Sequence, residues 1–252
     1  MRAVECVEMQ SIFLGITLSV AFVATVADGS ALDQARTLHA SYHEDLTRLD
    51  RARDLLEQML REDPQVPAFI FLARIYFTWG DVRAPDVEAK LQAYQRGRDV
   101  AERAVELAPR EPEAHFWYAA NYGRWGQTKG IFRSLFLLPT IKREMETILE
   151  LNPKHAGAHG LAGNFYLEVP GFLGGDLEKS ETHFREAIRL DPRLTVIRVD
   201  FAKLLIKRDR YADARRELQR VLNEAEPRWQ ADWAVRDRPT AQKLLDLIRG
   251  KR

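Results

Sequence analysis

The apolar residues of this chain recur at helical spacing from about residue 32 onward, and no stretch convincingly alternates apolar and polar side chains as a half-buried strand does. Proline interrupts the helical pattern at regular places, and it ends a helix because it lacks a backbone N–H and clashes with the preceding turn. Successive interruptions lie 45, 44, 39 and 35 residues apart. The pattern predicts a series of helical units that end at five prolines: Pro64, Pro109, Pro153, Pro192 and Pro227.

These units resemble tetratricopeptide repeats, which are pairs of helices with small and large side chains at fixed positions. The unit that ends at Pro192 has Ser180, Phe184 and Ala187 at a small, a large and a small position. One helix pair cannot bury its own apolar side, so several pairs must stack. The resemblance implies an all-α fold: a right-handed α-solenoid of about five helix hairpins, with inserted loops and a C-terminal capping helix.

The capping helix is predicted over residues 239–248, because Pro239 suits a first helical turn and apolar side chains recur on one side. We expect Trp229 and Trp233 to pack at that end of the solenoid and close its core. A binding role for these two indole rings is the alternative.

An uncharged apolar run covers residues 11–27, and small residues follow at plausible cleavage points, after Ala27 or Ala31. Residues 1–31 are therefore interpreted as a signal peptide or an N-terminal membrane anchor, with a buried helix as a third possibility. Residues 32–252 then form the repeat domain. The expected location is periplasmic or secreted, with anchoring to the inner membrane as the alternative.

The composition restricts the possible chemistry. The formal charge of +1 gives no general attraction to nucleic acid or to an anionic membrane. The single cysteine, Cys6, supports neither a disulfide framework nor a thiolate metal cluster. His155 and His159 lie four residues apart, but no acidic ligand has zinc-protease spacing and His159 falls at a repeat-core position. We expect no cofactor, no metal site and no catalytic residues.

The glycine-rich stretch PGFLGGD, residues 170–176, raises the question of a phosphate-binding loop. Such a loop follows a strand and opens a helix, whereas a helical pattern precedes this stretch. Asp176 suits the N-cap of a helix over residues 177–190, and its charge would repel an anion. We interpret the stretch as a long turn between the two helices of one repeat.

Two other units carry insertions at the same place, at residues 78–90 and 123–142. Insertions at equivalent positions of a solenoid lie on one side, which is often a binding side. The second insertion is apolar and partly basic, so it needs a partner if it is exposed; the alternative is that it folds over the solenoid. Its candidate binding residues are Trp125, Lys129, Phe132 and Phe136.

A narrower resemblance covers residues 113–192, about a third of the chain. It rests on the stretches NYGRWGQTKG, PTIKREMETILELNP and PGFLGGDLEKSETHFREAIRLDP. These are similar to bacterial tetratricopeptide proteins of the TRAP-transporter T-component type, and the repeats of eukaryotic microtubule-dynamics regulators are a more distant match. The resemblance implies a secreted or lipid-anchored helical protein beside the periplasmic substrate-binding proteins of organic-acid uptake systems, although a lipobox cysteine is missing.

In repeats of this kind, the resemblance implies that the first helices line a concave groove. Asn121 and Asn164 hold equivalent positions of successive units, and an amide can both donate to and accept from a bound peptide backbone. Arg74, Arg124 and Lys203 could bind a carboxylate. The alternative is that the asparagines bridge neighbouring helices. The candidate groove residues are Arg74, Phe77, Trp117, Asn121, Arg124, Asn164 and Lys203.

We therefore expect a non-catalytic, exported scaffold that binds a protein or peptide segment in its groove. A more specific version makes it an accessory to a transport system, with a periplasmic solute-binding protein as partner. The alternative is a small-ligand protein, in which the inserted loops form a pocket for an organic acid or a lipid. We expect no nucleic-acid partner and membrane contact only through the N-terminal segment; oligomerisation stays open.

Overall fold

A computed structural model describes residues 24–130 and 135–251, with side-chain surroundings from residue 31 onward. Every regular element within these residues is helical. The longer helices, numbered in chain order, are α1 (Ala24–Ala40), α2 (Thr47–Glu62), α3 (Val66–Val82), α4 (Val87–Leu107), α5 (Pro112–Lys129), α6 (Leu138–Leu151), α7 (Ala156–Glu168), α8 (Leu177–Leu190), α9 (Thr195–Lys207), α10 (Tyr211–Leu222) and α11 (Arg238–Leu247).

The first ten helices pair as hairpins that stack in chain order: α1 with α2, α3 with α4, α5 with α6, α7 with α8 and α9 with α10. Each second helix also packs on the first helix of the next hairpin, and successive first helices contact one another. The first helices therefore form one continuous side of the stack. This arrangement confirms the predicted all-α, right-handed solenoid of five TPR-like hairpins.

Small side chains let the two helices of a hairpin approach closely. A Cβ atom at Gly163 in α7 would lie 2.6 Å from the ring of Phe184 in α8, which is fully buried. Ser180, one turn before Phe184, donates a hydrogen bond of 2.7 Å to the carbonyl oxygen of Gly163. The alternation of small and large residues in the repeat is thus a packing requirement between α7 and α8.

The repeat-ending prolines share a hydrogen-bonding pattern that the repeat spacing does not predict. In three successive hairpins, the side chain six positions after the proline donates to the proline's carbonyl oxygen over 3.0 to 3.2 Å. The same side chain contacts a residue on the second helix of its hairpin, so it ties the inter-repeat turn to both helices. The three sets are His115 with Pro109 and Glu144, His159 with Pro153 and His183, and Arg198 with Pro192 and Glu217.

The glycine-rich segment forms the predicted turn inside one hairpin. A 3-10 helix spans Gly171–Leu173, and the carboxylate of Asp176 caps α8 by accepting from the backbone N–H groups two and three residues further on. Gly174 has a φ of +103°, and a Cβ at Gly175 would lie 1.7 Å from the carbonyl oxygen of Val169. These two glycines permit the tight turn, because a side chain at either position would be strained.

Beyond α10 the chain forms a helical turn (Gln230–Asp232), a π-helical segment (Trp233–Asp237) and then α11, which packs on α10 as the predicted capping helix. Trp233 lies at this end, and its Nε1 donates to a backbone carbonyl of α10 over 2.7 Å. Trp229 does not lie there: its ring stacks on Arg74 of the second hairpin. The expectation that both tryptophans close the C-terminal end is therefore wrong for Trp229.

The N-terminal helix α1 begins at Ala24, so the predicted cleavage points after Ala27 and Ala31 lie within it. Residues 1–23 lie outside the described part of the chain. The signal peptide or anchor, and with it the domain boundary at residue 31, stays a prediction. Among the helices that the structure describes, none is both long and apolar enough to cross a bilayer.

Candidate peptide-binding groove

Side chains from successive first helices contact one another along one side of the solenoid. Phe77 of α3 meets Trp117 of α5 edge to face, with 5.6 Å between ring centroids, and the guanidinium of Arg124 lies 5.4 Å from the Phe77 ring. Further along, the Asn164 amide of α7 donates to the carboxylate of Asp200 in α9 over 2.8 Å. We name this side of the first helices the inner face.

Residues 229–237 reach the inner face from the C-terminal end of the solenoid and cover part of it. The guanidinium carbon of Arg74 lies 3.6 Å from the ring centroid of Trp229, which is a stacked cation–π contact. The carboxylate of Asp232 accepts a hydrogen bond from the Tyr42 hydroxyl over 2.7 Å and another from Arg74 over 3.4 Å. This contact joins the first two hairpins to the C-terminal segment.

A second ionic contact lies one turn further along the segment. Arg236 donates to Asp81, at the end of α3, over 3.4 Å and to the neighbouring Asp237 over 3.0 Å. Asp81 also accepts from the Tyr94 hydroxyl over 2.8 Å and from Arg124 over 3.1 Å. The Asp81 carboxylate therefore accepts hydrogen bonds from α4, α5 and the C-terminal segment.

Apolar burial contributes little to the contact between the segment and the first hairpins. Ala231 packs into a small cluster with Tyr42 and Leu49, and Val235 lies against the same cluster partly buried. Trp229 keeps 41% of its surface exposed in spite of its contact with Arg74. The contact therefore depends mainly on charge, hydrogen bonds and ring stacking.

Burial and neighbouring charges shift the titration of the groups around Arg74. Burial lowers the pKa of His39 to about 3, and the positive charge of Arg74 adds to the effect. His39 is thus neutral at neutral pH, and its Nε2 lies 3.2 Å from the Thr78 hydroxyl. Burial alone would raise the pKa of Asp232, but Arg236 and Arg74 outweigh it and hold that pKa below its usual value.

The next carboxylate along the segment behaves in the opposite way. Burial raises the pKa of Asp237 in spite of the adjacent Arg236 and a hydrogen bond of 2.7 Å from the Thr195 hydroxyl. Burial, with help from Asp232, also raises the pKa of Tyr42, so this hydroxyl keeps its proton and acts as a donor. The pKa of Asp232 is thus lowered and that of Asp237 is raised, although the two residues are only five positions apart.

Asn121 bridges neighbouring helices, which is one of the two roles that its sequence position allows. Its side chain is fully buried, and its amide nitrogen donates to the backbone oxygens of Ala73 (3.1 Å) and Trp117 (2.9 Å). Its Oδ1 packs so closely on α4 that a Cβ atom at Gly97 would lie 2.2 Å away. Both amide hydrogens are engaged, so Asn121 joins α3, α4 and α5.

Asn164 and Lys203 converge on one acidic residue. The carboxylate of Asp200 accepts from Asn164 over 2.8 Å and from the Lys203 ammonium over 2.7 Å. The structure thus gathers the predicted groove residues on one face, and their binding roles stay predictions. Their surroundings are as follows: Arg74 is buried under Trp229, Asn121 is buried, Phe77, Trp117, Arg124 and Asn164 are half-buried, and Lys203 is exposed.

The inserted segment between α5 and α6 is partly packed and partly exposed. Within it, α5 continues to Lys129, whose ammonium lies 5.6 Å from the Trp125 ring, and Leu137 is buried in the core. Phe136, the residue before Leu137, is 85% exposed. Phe132 lies outside the described residues. The insertion therefore packs on the solenoid through Leu137 and exposes an apolar side chain at Phe136.

A second exposed aromatic ring lies in the corresponding turn of the next hairpin, where Phe172 is 88% exposed. Two open surface depressions of about 320 and 290 Å³ lie between α2, α3 and α4, away from the insertion at residues 123–142; Trp79 and Ala89 of the insertion at residues 78–90 line the second. A small-ligand pocket formed by the inserted loops stays a prediction.

The histidines that raised the question of a metal site are tied into the repeat packing. The Nδ1 atom of His155 accepts from the backbone N–H of Ala158 and caps α7, whereas His159 pairs with His183 over 3.1 Å. His155 and His159 thus serve different partners. Within the described part of the chain, no group of three His, Cys, Asp or Glu side chains is arranged to hold a metal ion.

Sequence reasoning missed the residues that hold the C-terminal segment: Tyr42, Asp81, Asp232 and Arg236. A weak signal was present, because Asp232 and Arg236 have the i,i+4 spacing of an ion pair on a helix. In the structure these two side chains bind other helices instead of each other. Spacing alone does not distinguish the two outcomes.

The fold and the inner face together define a tetratricopeptide-repeat protein, and a tetratricopeptide-repeat family matches residues 172–231. A second family, described as "Regulator of microtubule dynamics protein 1-3", matches residues 31–171. Because this match covers more than half of the chain, the chain belongs to that family. No comparison confirms the resemblance to TRAP-transporter T-components; the match that the sequence placed as more distant is the one supported.

The solved structure of another protein shares the fold. The chain is similar to a thermophilic TPR protein of Thermus thermophilus, with 22% identity over 85% of this chain and 99% of that chain and a TM-score of 0.63. It is also similar to MamA of Desulfovibrio magneticus RS-1, with 18% identity over 75% and 94% of the two chains and a TM-score of 0.46. No curated protein matches the sequence.

Proposed function

We propose that this chain is an exported, non-catalytic scaffold that binds a segment of a partner protein on its inner face. One observation carries the proposal: the inner face already holds a peptide segment, residues 229–237 of the same chain, through Tyr42, Arg74 and Asp81. Side chains that bind one segment by ring stacking and charged hydrogen bonds have the chemistry to bind another.

Three donors of the inner face keep solvent-exposed surface beside or beyond the C-terminal segment. Lys203 is exposed, and Arg124 and Asn164 are half-buried. The Asp200 carboxylate holds the Lys203 and Asn164 side chains in fixed positions. Arg124 and Lys203 each pair with one carboxylate, Asp81 and Asp200, and an acidic segment would bind the part of each cation that stays exposed.

A more specific version places the protein beside a periplasmic solute-binding protein of an organic-acid uptake system. Two features of the sequence support it: the resemblance of residues 113–192 to TRAP-transporter T-components, and the apolar run at residues 11–27 that suits an export signal. In this version the solute-binding protein supplies the segment that the inner face binds.

Affinity capture with the full chain tests the scaffold. We expect the substitution Lys203→Glu to reduce the captured partner by about tenfold, because it reverses a charge on the inner face. The matched control is Lys142→Glu, which reverses an exposed charge on α6, outside the inner face. Equal capture by both variants, or no specific partner for the wild type, contradicts the proposal.

Export has its own test. Cell fractionation followed by N-terminal sequencing should give a mature chain that begins after Ala27 or Ala31, or an intact chain in the membrane fraction if the segment is an anchor. An intact chain in the soluble cytoplasmic fraction contradicts export.

The family description names a second candidate function, regulation of microtubule dynamics. It is favoured by the family match over residues 31–171, which covers the first three hairpins and α7. Co-sedimentation with polymerised tubulin tests it directly: a pellet fraction that rises with microtubule concentration supports this function, and a constant one excludes microtubule binding.

A further inference from the structure

We propose that Tyr42 and Arg74 form a recognition site for a helical turn that carries an aromatic ring and a carboxylate three residues apart. The chain's own Trp229 and Asp232 fill this site as an internal ligand. The inference rests on the proposed function, since it specifies which segments the inner face accepts and what they must displace.

The contacts of Trp229 and Asp232 show which chemical groups the site binds. Trp229 is the extended N-cap residue of the turn and Asp232 is its last residue, and both side chains contact Arg74. The face of the Arg74 guanidinium stacks on the indole at 3.6 Å, and one of its edge nitrogens lies 3.4 Å from the carboxylate. A planar guanidinium suits this double contact, which a lysine could not reproduce. The Tyr42 hydroxyl adds a second donor to the carboxylate over 2.7 Å.

The internal ligand is held by contacts that favour selectivity over stability. Asp232 and Arg74 form a buried ion pair, and such pairs define geometry while the loss of hydration offsets most of their attraction. Trp229 remains 41% exposed, and only Ala231 adds a fully buried apolar side chain to the cluster around Tyr42. A segment with so little apolar burial is expected to open more readily than the core hairpins.

The occupying turn continues without a break into the capping helix, but through an irregular stretch. The π-helical segment Trp233–Asp237 lies between the turn Gln230–Asp232 and α11. Before the turn, the Arg228 N–H donates to the Arg193 carbonyl oxygen over 2.8 Å and holds the preceding linker on the fifth hairpin. Helices bend at π-helical segments, so we expect a bend there to free the turn while the linker and α11 keep their contacts with the rest of the solenoid.

A peptide made from the chain itself tests the site. The probe is a fluorescent peptide of residues 226–238, EPRWQADWAVRDR, added to the full chain. A chain with Trp229→Ala and Asp232→Ala should bind it at least about tenfold more tightly than the wild type, whose site is filled. The control chain Gln230→Ala, changed at an exposed residue of the same turn, should behave as the wild type. Adding Arg74→Ala to the double variant should remove the gain.

Two experiments can overturn the inference, the peptide titration and hydrogen exchange. The titration does so with equal affinity of the peptide for the double variant and the wild type, or with a gain that survives loss of Arg74. The other is hydrogen exchange of the unmodified wild type, which does not depend on how any variant folds. If amides of residues 230–236 exchange as slowly as those of α10, the turn is a fixed structural element.

The outcomes separate this inference from the proposed function. Partner capture that depends on Lys203, together with a failed peptide test, leaves the scaffold intact and removes the internal ligand. A successful peptide test with no captured partner leaves the recognition site intact and removes the scaffold proposal.

Discussion

The buried imidazole of His39 should make this protein sensitive to acid, and glutamine at that position should remove most of the sensitivity. His39 lies at the end of α1 with its Nε2 atom 3.2 Å from the Thr78 hydroxyl, and its ring meets those of Tyr42 and Phe71 edge to face. A proton on this ring would place a buried cation next to Arg74. These surroundings lower the pKa of His39 to about 3.

The magnitude follows from proton linkage. The unfolded chain takes up a proton at His39 near pH 6.5, whereas the folded chain does not until about pH 3. The stabilisation is therefore fully present above the unfolded pKa and is lost as the pH falls from about 6.5 toward 3. At about 1.4 kcal/mol per pH unit, lowering the pH from about 7 to about 4.5 should remove about 2.5 kcal/mol through this residue alone.

Urea unfolding at about pH 7 and about pH 4.5 measures the effect. The wild type should lose about 2.5 kcal/mol more than His39→Gln on acidification, because glutamine keeps a hydrogen-bonding group near Thr78 but does not titrate. His115→Gln is the opposing control: the hydrogen bond to Glu144 raises the pKa of His115, so this variant should lose more than the wild type. Equal losses for the wild type and His39→Gln refute the buried, neutral imidazole.

Two further predictions concern the repeat packing. Gly163→Ala should destabilise the fold by about 1–3 kcal/mol in urea unfolding, because its Cβ meets the buried ring of Phe184, whereas Gly123→Ala, whose Cβ would have its nearest neighbour 3.8 Å away, should be neutral or stabilising. His183→Glu should give the fourth repeat the acidic partner found in its neighbours. Because burial lowers the pKa of His183, its contribution to stability falls as the pH drops below about 6.5. The variant should gain stability relative to the wild type at about pH 5.5, and a steeper loss than in the wild type would contradict this reasoning.

The elements that the sequence predicted well are those with local causes. The helix α8 spans Leu177–Leu190 as predicted, because Asp176 caps its start and Pro192 prevents its continuation. The five hairpins follow from a repeated pattern of small and large side chains that is satisfied within each pair of helices and between neighbouring pairs. Asn121 shows the limit: its position in the repeat was found, but the sequence left open whether its amide binds a peptide or bridges helices, and in the structure it bridges them.

The contact between the two ends of the solenoid could not be predicted from local sequence patterns, because it depends on how all five hairpins stack. Tyr42 and Asp232 are 190 residues apart, and no local pattern relates them. In a simple repeat array each unit contacts only its neighbours, so terminal units can unfold independently. Here Asp232 and Arg236 bind the first two hairpins, and Asp237 and α11 bind the last one. The C-terminal segment therefore links the hairpins at the two ends of the solenoid. The inner face is thus partly covered by the chain's own C-terminal segment, and any partner that uses the site of Arg74 must compete with that segment.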